Sequence, residues 1–396
     1  MSGFAKGSLD GESALNKIRP VEQYEAAAAE AIGRRHAVAF AYARTGLVAI
    51  LQAAGLKPGD EVILSPLTCK VVPLALLSIG LKPIYADISR QTLNLDRAGV
   101  SALTGPATRA VLFQHTYGNS EGIEAVAEFC KRSALLLVED CAQSIPQRRN
   151  GPGRCGHATI FSNNPRKPVP AGSGGIVATD DGALAEAIRQ RRSNLPYQTP
   201  WVNFMWRANV SLHDLLVGPK TYWPLFSLAR TFSSVYQERT LPREIASEVT
   251  QLAAQPSGFH IRRGLAWLPK VDELSAQRTM CCEDYARQFR DYPEITLATT
   301  GRLPLYFFPI VVANKDHLLR NAQRRLLELV SWPIRLPIYP VERESDLIRY
   351  AYASGSCVNA EDIASRLVGL PTDFGANANR RTAIVRLIKH HHDRFQ

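Results

Sequence analysis

No stretch of this 396-residue chain approaches the roughly 18 uninterrupted apolar residues that a membrane span needs. The first ten residues also lack the basic head and apolar run of a secretory leader, so the expected location is the cytoplasm. Cysteines are few and unpaired in spacing. Cys69, Cys130, Cys141, Cys155, Cys281, Cys282 and Cys357 fall into neither a zinc pattern nor a disulfide framework, which fits free thiols in a reducing compartment. There is no internal repeat, no low-complexity tract, and no recognised nucleic-acid module or basic run. The net charge of +11 is spread among acidic residues along the chain. A nucleic-acid partner is therefore not expected, whereas an anionic substrate or an acidic membrane surface fits the excess charge.

What is present is ample apolar material, 45% of the residues, in a length that suits two domains. Short apolar runs at 37–41, 61–64, 83–86, 110–114, 135–139, 158–161 and 175–178 read as strands buried on both faces. Between them, 46–54, 71–80, 123–132 and 183–192 carry apolar residues at helical spacing, with Gly55, Lys57-Pro58-Gly59 and Gly80 as stops. This alternation predicts one large α/β domain over 1–195, a sheet with helices on both faces. Residues 196–260 form an aromatic-rich insertion or interface segment, irregular at 196–241. A smaller α+β domain is expected over 261–396, with helix at 262–292 and a strand at 305–313.

Two segments carry the chemistry. From Phe161 to Gly175 a strand ends in a loop with one lysine, Lys167, and the glycines Gly172, Gly174 and Gly175 lead into the next strand. Glycines there allow backbone to approach a planar ligand, and a desolvated lysine loses its proton readily enough to form an imine. The bland alternative is a solvated loop lysine. The run Leu135 to Glu139 delivers Asp140 at the carboxyl end of a buried strand, the edge where open α/β sheets bind ligands. A carboxylate there can hold a pyridinium nitrogen protonated; the bland alternative is a helix N-cap.

The ordered series of segments resembles the DegT/DnrJ/EryC1/StrS sugar aminotransferase family. It runs through Ile32-Gly33-Arg34-Arg35-His36, Gly55-Leu56-Lys57-Pro58-Gly59-Asp60-Glu61, Asp87-Ile88-Ser89, Asn94-Leu95-Asp96, His115-Thr116-Tyr117-Gly118, Glu139-Asp140-Cys141-Ala142-Gln143 and the stretch from Phe161 to Gly175. Coverage is close to continuous from about residue 20 to 193. The resemblance implies a fold type I transferase dependent on pyridoxal 5'-phosphate (PLP), with a mostly parallel seven-stranded sheet. It implies Lys167 as the Schiff-base lysine and proton shuttle, Asp140 as partner of the ring nitrogen, Gln143 beside the phenolic oxygen and Ser162 on the phosphate. It further implies an amino donor such as glutamate or glutamine, a keto-sugar acceptor on a nucleotide, and a homodimer.

Four departures from the family pattern stand out. The phosphate turn reads Ala43-Arg44-Thr45, placing an arginine before a helix whose amides suit an anion. Cys69 falls where an aromatic usually covers the ring. The family's glycine-glutamate-glycine-glycine run reads Gly172-Ser173-Gly174-Gly175. The motif that reaches a neighbouring subunit has its nearest candidate in Gly258-Phe259-His260-Ile261-Arg262, at a spacing to Asp272 that does not match.

Residues 201–241 interleave Trp201, Phe204, Trp206, Tyr222, Trp223, Phe226, Phe232 and Tyr236 with Arg207, Lys220, Arg230 and Arg239. The favoured reading is a subunit interface or substrate lid, with peripheral membrane contact as the alternative. His390, His391 and His392 are read as a solvated terminus, because adjacent positions on a helix point apart; no metal is expected. His115, at a strand end near Asp140, is either a substrate contact or a satisfied structural histidine. Besides transamination, two readings stay open: a PLP enzyme performing dehydration or carbon-carbon bond chemistry, and a non-catalytic PLP-binding regulator.

Overall fold

A computed structural model describes residues 9–149, 151–164, 167–170, 174–216, 253–297, 303–373 and 376–395. The chain runs α1 (Leu9–Ile32), β1 (His36–Phe40), α2 (Ala43–Ala53), β2 (Glu61–Leu64), α3 (Val71–Ser78), β3 (Lys82–Tyr85), α4 (Arg97–Leu103), β4 (Thr108–Gln114), α5 (Ile123–Arg132), β5 (Leu136–Asp140), β6 (Ala158–Ser162), β7 (Gly175–Thr179) and α6 (Gly182–Ser193). It continues with α7 (Pro200–Leu216), α8 (Gly258–Trp267), α9 (Val271–Gln288), β8 (Phe307–Val311), α10 (Lys315–Arg324), α11 (Val358–Arg366), β9 (Leu367–Pro371) and α12 (Ala378–Phe395).

Strands β1 to β7 form one sheet in the order β1-β7-β6-β5-β4-β2-β3. Pairing is parallel from β3 through β6, and β7 runs antiparallel to both β6 and β1. Their residues are almost all buried, as continuous apolar runs covered on both faces require, except in the edge strand β3, where only Pro83 is buried. On one face Leu47, Ile50 and Leu51 of α2 join Val38, Val138 and Val177 in the main core. On another, Tyr24, Ala28 and Ile32 of α1 pack with Ala37, Ile176 and Ile261. Helix α8 thus lies on the N-terminal helix. The second sheet pairs β8 with β9 antiparallel, and Tyr285, Phe289, Leu318, Ile384 and Ile388 from α9, α10 and α12 cover it.

Two expectations need correction. The segment expected to be irregular at 196–241 begins with α7, a helix that starts with proline at its first position, where a missing N–H costs nothing. The remainder of that expectation, 217–241, lies outside the described residues, as do Gly172 and Ser173. Nor is the histidine run a solvated end. His391 is buried and donates from Nε2 to the Ala313 carbonyl at 2.7 Å, while His392 meets Glu294 at 2.6 Å. Residues 391 and 392 point apart, yet each finds a different partner. Among the described residues no helix is long and apolar enough to cross a membrane.

Candidate cofactor site

The topology gathers the expected residues on one edge. Strands β1, β2, β4, β5 and β6 end there, and β7, running the other way, starts there. Tyr42 to Thr45 follow β1, Cys69 follows β2, His115 follows β4, Asp140 closes β5, and Ser162 closes β6 ahead of Lys167. Five stretches far apart in sequence therefore share the carboxyl edge of a parallel sheet, the usual ligand position in such folds.

Asp140 is buried, and its Oδ1 accepts the Ala142 amide at 2.9 Å across a turn. No helix follows it, so the N-cap alternative does not apply. Burial raises its carboxyl pKa, against the opposing pull of the Ala142 amide, Lys167 and His115. Lys167 is half-buried. Burial lowers the pKa of its ammonium, while Cys69 and Asp140 act to raise it. Each residue thus feels the other, and both are pushed toward their neutral forms. For a lysine, neutral is the nucleophilic form.

Gln143 is held by the Tyr117 amide, which donates to its Oε1 at 2.8 Å, so the side-chain NH2 group is the end left to face an acceptor. Thr45 lies in the first turn of α2, and its buried hydroxyl has no hydrogen-bond partner among the described residues. Arg44 places its guanidinium 4.5 Å from the centroid of the Tyr42 ring. The glycines serve a purpose that their sequence does not reveal. Gly174 has φ +122° and bridges to Tyr42, and a Cβ on Gly175 would sit 2.3 Å from the Ala43 backbone. They let β7 begin directly against the first turn of α2. Ser162 is half-buried and pairs in register with Gly175.

His115 is fully buried, and its Nε2 lies 2.8 Å from Glu139 Oε2. Glu139, on the opposite face of β5 from Asp140, also accepts the amides of Gly153, Cys155 and Gly156 at 2.9, 2.7 and 2.5 Å. Arg34 stands 3.7 Å away and donates to the Gly153 and Gly156 carbonyls. Nε2 of the His115 ring thus belongs to a buried polar network behind the strand, while its buried Nδ1 has no hydrogen-bond partner among the described residues. Tyr42, Tyr117 and Glu139 escaped sequence reasoning as contributors to the site. Tyr42 and Tyr117 lacked any spacing signal, and Glu139 was visible only as a neighbour of Asp140.

The helix candidate at Gly258 to Arg262 opens α8, with Ser257 as its cap: the Ser257 hydroxyl accepts the His260 amide at 3.4 Å and lies 2.9 Å from His260 Nδ1. Helix α7 brings Trp206 onto Tyr42, while Trp201, Phe204 and Met205 remain exposed, the first two with their rings stacked.

Comparison with known proteins agrees with this geometry. Residues 6–199 match the model of the DegT/DnrJ/EryC1/StrS aminotransferase family. The chain is 36% identical over 333 residues to the pleiotropic regulatory protein of Geobacillus stearothermophilus, covering 82% of this chain and 85% of that one. It is 36% identical over 177 residues to the spore coat polysaccharide biosynthesis protein SpsC of Bacillus subtilis, covering 44% of this chain and 46% of that one. Against GDP-perosamine synthase of Caulobacter vibrioides it is 33% identical over 196 residues, 48% of this chain and 53% of that one. The chain thus spans about half the length of these last two. Among solved structures, NtdA from Bacillus subtilis with bound cofactor PMP superposes with a TM-score of 0.72 at 19% identity, covering 98% of this chain and 83% of that one. The fold is that of the fold type I transferases.

Proposed function

Because this chain belongs to the DegT/DnrJ/EryC1/StrS aminotransferase family, we propose that it is a PLP-dependent aminotransferase moving an amino group from glutamate or glutamine to a keto sugar carried on a nucleotide. The observation that carries this reading is that Lys167 and Asp140, from separate stretches of the chain, share one sheet edge where both are withdrawn from solvent. The residues fit the cofactor. Asp140 would meet the ring nitrogen, the Gln143 NH2 would donate to the phenolic oxygen, and Thr45, Arg44, the Ala43 turn and Ser162 would hold the phosphate. Cys69 would face the ring, covering less of it than an aromatic would. The unpartnered Thr45 hydroxyl is the kind of buried polar atom a phosphate would satisfy.

When bound, the cofactor would supply an electrophilic carbonyl and an electron sink. This chain's own contribution would be to keep Lys167 partly out of solvent, where burial lowers its ammonium pKa and favours an Nζ able to attack and then to carry a proton, and to hold Asp140 at the far end of the ring. His115 takes a structural part behind β5. In this reading the domain over 1–195 would carry the cofactor and the smaller domain over 261–396 would close over the substrate, with 196–260 an insertion or interface segment. The sugar acceptor rests on two relatives, a GDP-perosamine synthase and a spore coat polysaccharide biosynthesis protein. The exposed stripe of Trp201, Phe204 and Met205 on α7 favours a homodimer contact, with an acidic membrane surface as the competing partner.

The test is the visible absorption spectrum of purified protein and of Lys167→Ala, before and after L-glutamate. The wild type is expected to be yellow, to bleach with glutamate and to release 2-oxoglutarate in equal amount, and the variant to lack the colour. Binding of PLP with no amino donor able to bleach it would replace transamination by another PLP reaction. Failure to take up PLP would end the proposal.

A further inference from the structure

The anionic end of the candidate site is built in two layers. In the first, Arg44 and Thr45 occupy the opening turn of α2, a turn without acidic residues, and the Thr45 hydroxyl is buried with no partner among the described residues. Tyr42 forms the second layer. It is extended at φ −146° and ψ 144°, caps α2 without a side-chain bond, and lays its ring beneath the Arg44 guanidinium at 4.5 Å. Its hydroxyl accepts from Trp206 Nε1 at 3.3 Å, and the two rings are tilted at 58° with centroids 6.4 Å apart. Trp206 is braced in turn by an edge-on contact with the His260 ring at 6.2 Å. That imidazole is held at Nδ1 by Ser257, and burial together with Arg263 lowers its pKa to about 4. The imidazole behind Trp206 is therefore uncharged near neutral pH.

We propose that Trp206 is a positioning residue for phosphate recognition, fixing the Tyr42 ring as the platform on which Arg44 is held ready for the cofactor's phosphate. This rests on the PLP reading given above. A free arginine side chain loses considerable rotamer freedom when it binds an anion, and a guanidinium already stacked on a fixed ring loses less. The Trp206 N–H is what fixes the ring from outside the helix, across 164 residues of sequence. In this arrangement α7 contributes to cofactor affinity without touching the cofactor.

The experiment compares dissociation constants of PLP and of pyridoxal, which lacks the phosphate, by absorbance titration of cofactor-stripped full-length protein. Trp206→Phe keeps the ring and removes the donor; Tyr42→Phe keeps the ring and removes the acceptor. Each is expected to weaken PLP by roughly 3- to 10-fold, the worth of one hydrogen bond, and to leave pyridoxal unchanged. The double variant should be no worse than either single one, because both delete the same bond. In an Arg44→Ala background Trp206→Phe should have no further effect. Equal weakening of PLP and pyridoxal would mark Trp206 as merely structural, and unchanged PLP binding in both single variants would remove the platform from the account. Should wild-type protein bind neither compound, the PLP reading falls and this proposal with it. Normal wild-type PLP binding with silent variants overturns the positioning role alone. If Trp206→Phe fails to fold, Tyr42→Phe decides the question.

Discussion

Glu139 offers the sharpest test of the physical account, because its partners, Arg34 at 3.7 Å among them, are residues of this chain and do not depend on any cofactor. Its side chain is fully buried; Oε1 accepts from Cys155 and Gly156, and Oε2 accepts from Gly153 and faces His115. Glu139→Ala leaves three amide donors and one imidazole nitrogen without their acceptor. Each stranded buried donor costs about 1–3 kcal/mol, and removing one side of a buried charged cluster costs about 3–5 kcal/mol in total once relaxation is included. We expect a loss of about 3–5 kcal/mol. Glu139→Gln should cost less, about 1–3 kcal/mol. With its NH2 in place of Oε2, the Cys155 and Gly156 amides keep their acceptor while the Gly153 amide faces a donor. Urea unfolding followed by tryptophan fluorescence measures both. Burial works to raise the Glu139 carboxyl pKa, but His115 and the Gly156 and Gly153 amides outweigh it, and the net direction is down. Its stabilisation is therefore complete above the ordinary glutamate value and is lost as pH falls through the lowered folded value. Glu139→Ala should flatten that acid limb. A loss below about 1 kcal/mol for the alanine variant would refute the claim that this network secures the 153–156 turn. Equal losses in both variants would show that charge, not acceptor count, holds it.

Two further outcomes follow from the same coordinates. Gly175→Ala places a Cβ 2.3 Å from the Ala43 backbone; overpacking of this kind costs about 1–3 kcal/mol, and thermal unfolding together with PLP titration should show lower stability and weaker cofactor binding at once. Lys315 is buried, donates from Nζ to the Pro333 and Ala364 carbonyls, and has its pKa lowered to about 7, chiefly by burial. The unfolded chain holds that proton more tightly, so wild-type stability should rise with pH from about 7 toward the ordinary lysine value of 10.5. Lys315→Met should lack this rise, and parallel melting curves for the two proteins across that window would contradict it.

Much of the large sheet was legible because its signals are local. A continuous apolar run such as 136–138 must be a strand buried on both faces, and a charged residue closing it, as Asp140 does, has only the sheet edge to occupy. The lysine loop was legible for the same reason, lying between two apolar strands. Helix α7 was not, because its aromatic residues face two environments. Trp206 turns inward to Tyr42 while Trp201 and Phe204 face outward, which blurs the apolar stripe on which a helix reading depends. In α12, His391 found the Ala313 carbonyl from a position where the sequence showed only three adjacent imidazoles.

The sequence by itself determined the strand and helix alternation, the identity of the chemical residues and their order, because short-range patterning and residue type are properties of the chain. Which groups meet was decided by tertiary structure. Gly175 is needed because Ala43 lies against it; Glu139 is ionised because Gly153, Cys155, Gly156 and His115 converge on it; Trp206 matters because Tyr42 is within reach. Each depends on a contact between residues distant along the chain, whose energy comes from burial and hydrogen-bond geometry that exist only once the sheet has closed around them.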